Sequence, residues 1–244
     1  MKINLKDKNY TELAHSIQSY FKDASNSIHK ARNEIKIIEY NKKKLVVKSF
    51  KISNILNKIV YTFFKDSKAK KSYDNAIKIS AFTPKAIAYV EFQKLGLLDE
   101  SYFISENFAY DFTIREPLLD ENFEEREAIF QAFASFSHQL HEEGIYHLDY
   151  SPGNILIKKE KENYSFKIVD INRMKFKELS LDERLKNFSK LWAKDEDMKI
   201  IVKAYAKLMN ADEAYCINKA IAYSQKNKDI KNFKKRLKGK KVYD

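Results

Sequence analysis

β-Branched and apolar residues cluster at 34–40 and again at 45–50, on either side of the polar stretch Asn41-Lys42-Lys43-Lys44. That pattern predicts a β-hairpin. Residues 52–64 and 66–80 switch to helical spacing, for example Ala69, Tyr73, Ala76 and Ile77, and Thr83-Pro84 ends the second helix. Two further strands are expected at 86–92 and 101–108, joined by Gly96 and polar residues. After about Asp111 the character changes. Ile129, Phe133, Phe136 and Leu140 recur at i, i+4, i+7 and i+11, which predicts a long helix capped by Asn122 and closed by Gly144. Short strand-like runs at 155–157 and 166–169 flank a turn at 159–163, and the chain is helical from about Leu181. Residues 1–30, polar with scattered apolar positions, predict a helix with ragged ends. The expected architecture is a β-rich lobe followed by a helix-rich lobe, with a cleft between them.

With 44% hydrophobic and 14% aromatic residues in 244, the chain can bury a sizeable core, which excludes a disordered protein. Its net charge of +12 suits an anionic partner. A lysine-, asparagine- and isoleucine-rich codon bias accounts for the same excess equally well. The four glycines, Gly96, Gly144, Gly153 and Gly239, are too far apart for a dinucleotide fingerprint or a P-loop. A single cysteine, Cys216, excludes an internal disulfide and a cysteine-rich zinc site. The first twenty residues lack the apolar core of a signal peptide, and no run approaches the ~18 apolar residues of a membrane span. A soluble chain of a reducing compartment is expected.

The chemistry concentrates in His147-Leu-Asp149-Tyr-Ser-Pro-Gly-Asn154-Ile-Leu-Ile157, followed by Val169-Asp170-Ile171-Asn172. H-x-D-x-x-x-x-N is the catalytic-loop pattern of protein kinases, and Asp170 follows the next strand where a metal-binding aspartate belongs. Phosphoryl transfer asks mainly for placement and charge neutralisation. Asp149 suits the carboxylate that takes the proton of an attacking hydroxyl. Asn154 and Asp170 suit the hard oxygen ligands of Mg²⁺, and His147 suits a residue that holds the loop by hydrogen bonds. Zinc ligation by His138, His141 and His147 is disfavoured, because no H-E-x-x-H motif accompanies them, and His141 is better explained by packing.

These motifs resemble the protein-kinase-like superfamily and, within it, the bacterial lipopolysaccharide kinase family, the Kdo and heptose kinases of the inner core. The resemblance spans roughly residues 30–190. Besides the catalytic loop it rests on Arg32-Asn33-Glu-Ile-Lys, Val46-Val47-Lys48-Ser-Phe-Lys51, residues 67–76, Thr83-Pro-Lys-Ala-Ile-Ala-Tyr and Val169-Asp-Ile-Asn-Arg-Met174. It implies an α+β, two-lobed fold in a single domain, with an N-lobe of about 1–108 and a reduced helical C-lobe of about 109–244. It also implies ATP and Mg²⁺ as cofactors. Lys48 then matches the strand lysine that contacts nucleotide phosphates. Val46, Lys48 and Phe50 share one face of that strand, which can direct the ammonium into the cleft. Asp74 matches the acid that pairs with this lysine. Glu106 and Asn107 fall where a hinge would meet adenine through backbone groups, and Arg32 and Asn33 fall where phosphates would be covered.

The sequence departs from protein kinases in three ways. It lacks a glycine-rich phosphate loop, it carries Ser151 where many place a lysine, and it has Asp170-Ile171-Asn172 with no A-P-E after it. The 74 residues after Asp170 are few for an activation segment with a protein-substrate platform. The expected activity is transfer of phosphate to a Kdo or heptose hydroxyl of the lipopolysaccharide inner core, at the cytoplasmic face of the inner membrane. A small atypical serine/threonine kinase and a catalytically silent binding module are the alternatives. From Lys226 to Lys241 basic residues alternate with Ile230, Phe233 and Leu237. This tail suits either an anionic membrane surface or a solvated terminal helix packed through those three residues. No nucleic-acid motif is present.

Overall fold

A computed structural model describes residues 1–25, 27–30, 33–52, 54–161, 163–237 and 239. The chain divides into two compact units, Met1–Ala109 with Asp170–Arg173, and Tyr110–Val169 with Met174–Asp244.

The first unit contains β1 (Lys2–Leu5), α1 (Thr11–His15), α2 (Ile17–Asp23), β2 (Ser27–Lys30), β3 (Glu34–Tyr40), β4 (Lys43–Lys51), α3 (Ile55–Phe63), α4 (Lys68–Lys78), β5 (Ala86–Lys94) and β6 (Leu97–Glu106). Its antiparallel sheet runs β1-β5-β6-β4-β3-β2. The hairpin expected at Asn41 closes through two residues, Asn41 at φ 51° and Lys42 at φ 62°. Two successive left-handed residues match the right-handed twist of the strands. Leu95 and Gly96, at φ 53° and 75°, close β5–β6 in the same way, so β6 starts at Leu97 and takes in polar residues read as turn. On one face of the sheet Leu45, Val47, Tyr102 and Ile104 pack with Leu13, Ile17 and Phe21 of α1 and α2. On the other, Tyr73 of α4 meets Tyr89 edge-on at 5.4 Å. The ragged N-terminal helix is corrected. Lys2–Leu5 alternates polar and half-buried residues and pairs with β5, and Asp7 caps a 3-10 turn by accepting the Asn9 N–H at 3.0 Å.

The second unit contains β7 (Phe112–Thr113), α5 (Arg115–Leu119), α6 (Arg126–Glu142), β8 (Ile145–His147), β9 (Ile155–Glu160), β10 (Asn163–Ile168), β11 (Met174–Phe176), α7 (Leu181–Phe188), α8 (Asp195–Leu208) and α9 (Glu213–Arg236). The strands form two small antiparallel sheets, β10-β9-β7 and β11-β8. Ile129, Phe133, Phe136 and Leu140 are all buried, as their spacing predicts. Phe133 lies at the centre, with Tyr150, Phe166 and Phe188 around its ring. Asn122 does not cap α6. Its N–H donates to Asp120 within a turn, while Phe123 packs on Phe112 at 5.0 Å, and the helix begins at Arg126 after Glu125. Arg126 fixes that start by donating to the Pro117 carbonyl and pairing with Asp197 of α8.

Candidate active site

In the second unit, the segment from Gly144 to Asn154 is pinned by hydrogen bonds at Gly144, His147, Asp149 and Asn154. Gly144, at φ 66°, turns the chain out of α6 into β8, where His147 pairs with Met174. The His147 Nδ1 accepts the Asp149 N–H at 3.0 Å, which fixes the tautomer and leaves Nε2–H to donate to the Val169 carbonyl at 3.0 Å. His147 thus holds the loop, as expected. Asn154 Nδ2 donates to the Asp149 carbonyl at 2.9 Å, and the Asn154 carbonyl accepts the Val169 N–H. The fully buried Tyr150 stacks on Phe133 and shares a hydrogen bond with Ser137, and burial raises its phenol pKa.

A buried relay supports this loop from below. The Tyr205 hydroxyl donates to His141 Nδ1, His141 Nε2–H donates to Asn187 Oδ1, and Asn187 Nδ2 donates to the His147 carbonyl. His141 is therefore a packing residue. Burial holds its pKa down at about 4, and nearby Arg184 and His138 push the same way against the Asn187 bond and Glu142.

What this scaffolding leaves unengaged is informative. The half-buried Asp149 carboxylate makes no hydrogen bond or ion pair among the described residues, and neither does Asn154 Oδ1. Arg115, unremarked in the sequence, reaches the same loop. A Cβ placed on Gly153 would lie 2.7 Å from Arg115 Nη2, so the guanidinium leans directly on the Gly153 backbone. It is exposed and has no acidic partner among the described residues. Gly153 does not adopt a left-handed conformation, so its missing side chain makes room rather than a turn.

In the first unit, Lys48 lies on β4 between Ile35 and Phe103 of the flanking strands. Its ammonium meets Asp170 Oδ1 at 2.6 Å and lies 5.3 Å from the centre of the Phe50 ring. Asp170 adopts φ 57°, a conformation costly for most residues but tolerated by aspartate. Its Oδ1 also accepts from Asn172 at 2.6 Å, and Asn75 of α4 donates to the Ile171 carbonyl at 2.6 Å. The expected pairing of Asp74 with Lys48 is corrected. Asp74 holds Lys70 one turn before it, at 3.1 Å, and Lys70 also meets Asp66. The residue of α4 that reaches the Asp170 segment is Asn75, the next position around the helix. Glu106 pairs with Lys85, and the N–H groups of Glu106 and Asn107 already donate to the carbonyls of Lys85 and Lys44. The first backbone N–H groups beyond β6 without an acceptor among the described residues are those of Phe108 and Ala109. Asn33 is half-buried just before β3, and Arg32 lies outside the described residues.

The model of the lipopolysaccharide kinase (Kdo/WaaP) family matches residues 76–211, more than half of the chain. The chain belongs to this lipopolysaccharide kinase family. The matched region includes Asp149, Asn154 and Asp170 and begins after Lys48 and Asp74. A search of curated protein sequences gives no match. A solved structure of WaaP in complex with acyl carrier protein is similar at a TM-score of 0.60 and 14% identity, covering 93% of this chain and 99% of that one. This likeness shows an α+β protein-kinase-like fold. Membership of the family makes the chain a phosphotransferase of the lipopolysaccharide kinase type. Among the described residues no cluster of three His, Cys, Asp or Glu side chains could hold a metal, and no helix is long and apolar enough to cross a membrane. The donors expected for Mg²⁺ are instead a carboxylate and an amide oxygen, hard ligands of the type that ion takes alongside substrate phosphates and water.

Proposed function

We propose that this lipopolysaccharide kinase transfers the γ-phosphate of ATP to a Kdo or heptose hydroxyl of the lipopolysaccharide inner core, its two units being the lobes of one kinase-like domain. The observation that carries the reading is the Asp149 carboxylate, left without a partner among the described residues in a loop whose backbone is pinned at both ends by His147 and Asn154. Asp149 accepts the proton of the sugar hydroxyl as its oxygen attacks the γ-phosphorus and the bond to the ADP oxygen breaks. Asn154 Oδ1 and Asp170 would hold Mg²⁺. When bound, that ion neutralises charge on the phosphates. Lys48, balanced by Asp170 in the absence of nucleotide, steadies the phosphates when they arrive. Arg115, a planar cation that α5 rests against the loop of Asp149 at Gly153, suits a carboxylate or phosphate on an acidic acceptor sugar. Adenine is served by the backbone after β6, in the run through Asn107, Phe108 and Ala109. Work at the cytoplasmic face of the inner membrane follows from a lipid-linked acceptor, and the basic end of α9 contributes to binding there. Its Ile230, Phe233 and Leu237 are exposed rather than packed.

The test is phosphate transfer from Mg-ATP to purified Kdo–lipid A and to a heptosylated core, read by mass spectrometry, with Asp149→Asn as control. A product one phosphate heavier with the wild type, and at least ~100-fold less with the variant, is expected. Autophosphorylation without a glycolipid product would overturn the sugar acceptor. Absence of Mg²⁺-dependent ATP binding would overturn the kinase reading itself.

A further inference from the structure

Helix α3 leaves most of its apolar side chains exposed. Its nine residues include Ile55, Leu56, Ile59, Val60 and Phe63, yet none of the nine is buried. At about 100° per residue, Ile55, Ile59, Phe63 and Leu56 fall within an arc of about 100°. They are 58%, 37%, 67% and 68% exposed, and Phe64, at the end of the helix, is 77% exposed. The half-buried side chains are Lys58, Val60, Tyr61 and Thr62, and two of these make polar contacts with the sheet. The Lys58 ammonium pairs with Asp99 of β6, and the Leu98 N–H donates to Thr62 Oγ1 at 2.8 Å. Polar contacts thus hold the helix in place while its apolar stripe faces solvent.

Scattered surface leucines need no explanation, but a contiguous stripe of aliphatic and aromatic side chains marks an interaction site. Charge selects the occupant. Of the six lysines between residues 51 and 71, Lys51, Lys58 and Lys70 pair with Glu100, Asp99 and Asp66, while Lys65 and Lys71 have no acidic partner among the described residues. A second copy of this chain would bring the same lysines and its own +12 to the contact, so self-association there is opposed by repulsion. Apolar side chains flanked by lysines are what an anionic lipid surface accepts.

We propose that α3 is a membrane-docking element. Its stripe enters the boundary between headgroups and acyl chains of an anionic bilayer, and the neighbouring lysines meet the headgroups. The choice of a lipid surface rests on the glycolipid acceptor proposed above. Docking confines the enzyme to the layer that holds this acceptor and so raises its effective concentration. The element is separate from the basic end of α9, which lies in the other unit.

The test is co-sedimentation of the full chain with vesicles of phosphatidylglycerol and phosphatidylcholine, against phosphatidylcholine alone. Wild type is compared with a Leu56→Ser/Phe63→Ser variant and with a Phe233→Ser/Leu237→Ser variant of α9. All four side chains are exposed, so an unchanged melting temperature is expected in both variants. The α3 variant should partition to anionic vesicles at least about tenfold more weakly than wild type. It should still phosphorylate a deacylated, water-soluble core oligosaccharide at the wild-type rate. Equal partitioning of wild type and α3 variant overturns the proposal. So does a wild-type dimer in light scattering that the α3 variant returns to monomer, which would assign the stripe to a second copy. Co-sedimentation requires no turnover, so a failed transfer assay and a failed docking element are read separately.

Discussion

Two glycines of the candidate catalytic segment, Gly144 and Gly153, serve different physical needs, and alanine separates them. Gly144 sits at φ 66°, and a Cβ there would meet the Lys177 carbonyl oxygen at 2.7 Å. A left-handed alanine costs roughly 1–2 kcal/mol before any clash, and the clash is with the backbone of Lys177, which follows β11 and donates its N–H to the Gly144 carbonyl. Gly144→Ala is expected to lower the melting temperature by about 5 °C or more by calorimetry. An unchanged value would contradict the close approach. At Gly153 a Cβ meets only the end of the exposed Arg115 side chain, at 2.7 Å, which can swing away. Gly153→Ala should therefore leave stability within about 0.5 kcal/mol. Because it displaces Arg115, it should raise the KM for the sugar acceptor several-fold while the KM for ATP holds. Equal changes in both constants would remove Arg115 from acceptor binding. Much at this scale was legible in sequence. Asp149, Asn154 and Asp170 stood out because phosphoryl transfer requires those groups in that order. Arg115 did not, because its role is visible only once α5 carries it over a glycine distant in sequence.

Turn chemistry and helix phase decided which elements could be anticipated. The hairpin at Asn41 was readable from two β-rich runs around a polar stretch, but Lys42 is a poor occupant of its φ 62° position. Lys42→Gly relieves roughly 1–2 kcal/mol of left-handed strain against about 0.5–1 kcal/mol of backbone entropy. A gain of up to about 1 kcal/mol in urea unfolding is expected, and a loss would mean that Lys42 makes a compensating contact. Phase explains the failure on α4. A position one residue on lies about 100° around a helix, so choosing Asp74 for its charge selected the face that holds Lys70, and Asn75 lies on the face that reaches Ile171. Asn75→Ala removes the hydrogen bond to the Ile171 carbonyl. It should lower kcat several-fold with little change in melting temperature, because what it positions is the Asp170 segment. A variant with unaltered kcat would show that Lys48 and Asn172 suffice to hold Asp170. The N-terminal elements were misread because strands and helices of four to seven residues are too short for either periodicity to declare itself.

The relay from Tyr205 through His141 and Asn187 to the His147 carbonyl links the helical core of the second unit to the loop that carries Asp149, and it makes stability depend on pH. His141 titrates near 6.5 when exposed and near 4 in place, chiefly because burial disfavours the imidazolium. Between those values the unfolded chain binds a proton that the folded chain does not. Stability therefore rises with pH across this window and falls as the solution is acidified from 6.5 to 4, with a limit of roughly 3 kcal/mol below it. Carboxylates titrate in the lower part of the same range, so the wild type alone would not isolate the histidine. His141→Gln keeps a donor and an acceptor but cannot take the proton. Its unfolding free energy should start lower at pH 7, where the packed ring is lost, and decline less steeply towards pH 4. The two curves should converge as the pH falls. Parallel curves would place the acid sensitivity elsewhere, with Glu142, whose carboxyl the hydrogen bond from Arg184 holds below its usual range, as the next group to replace.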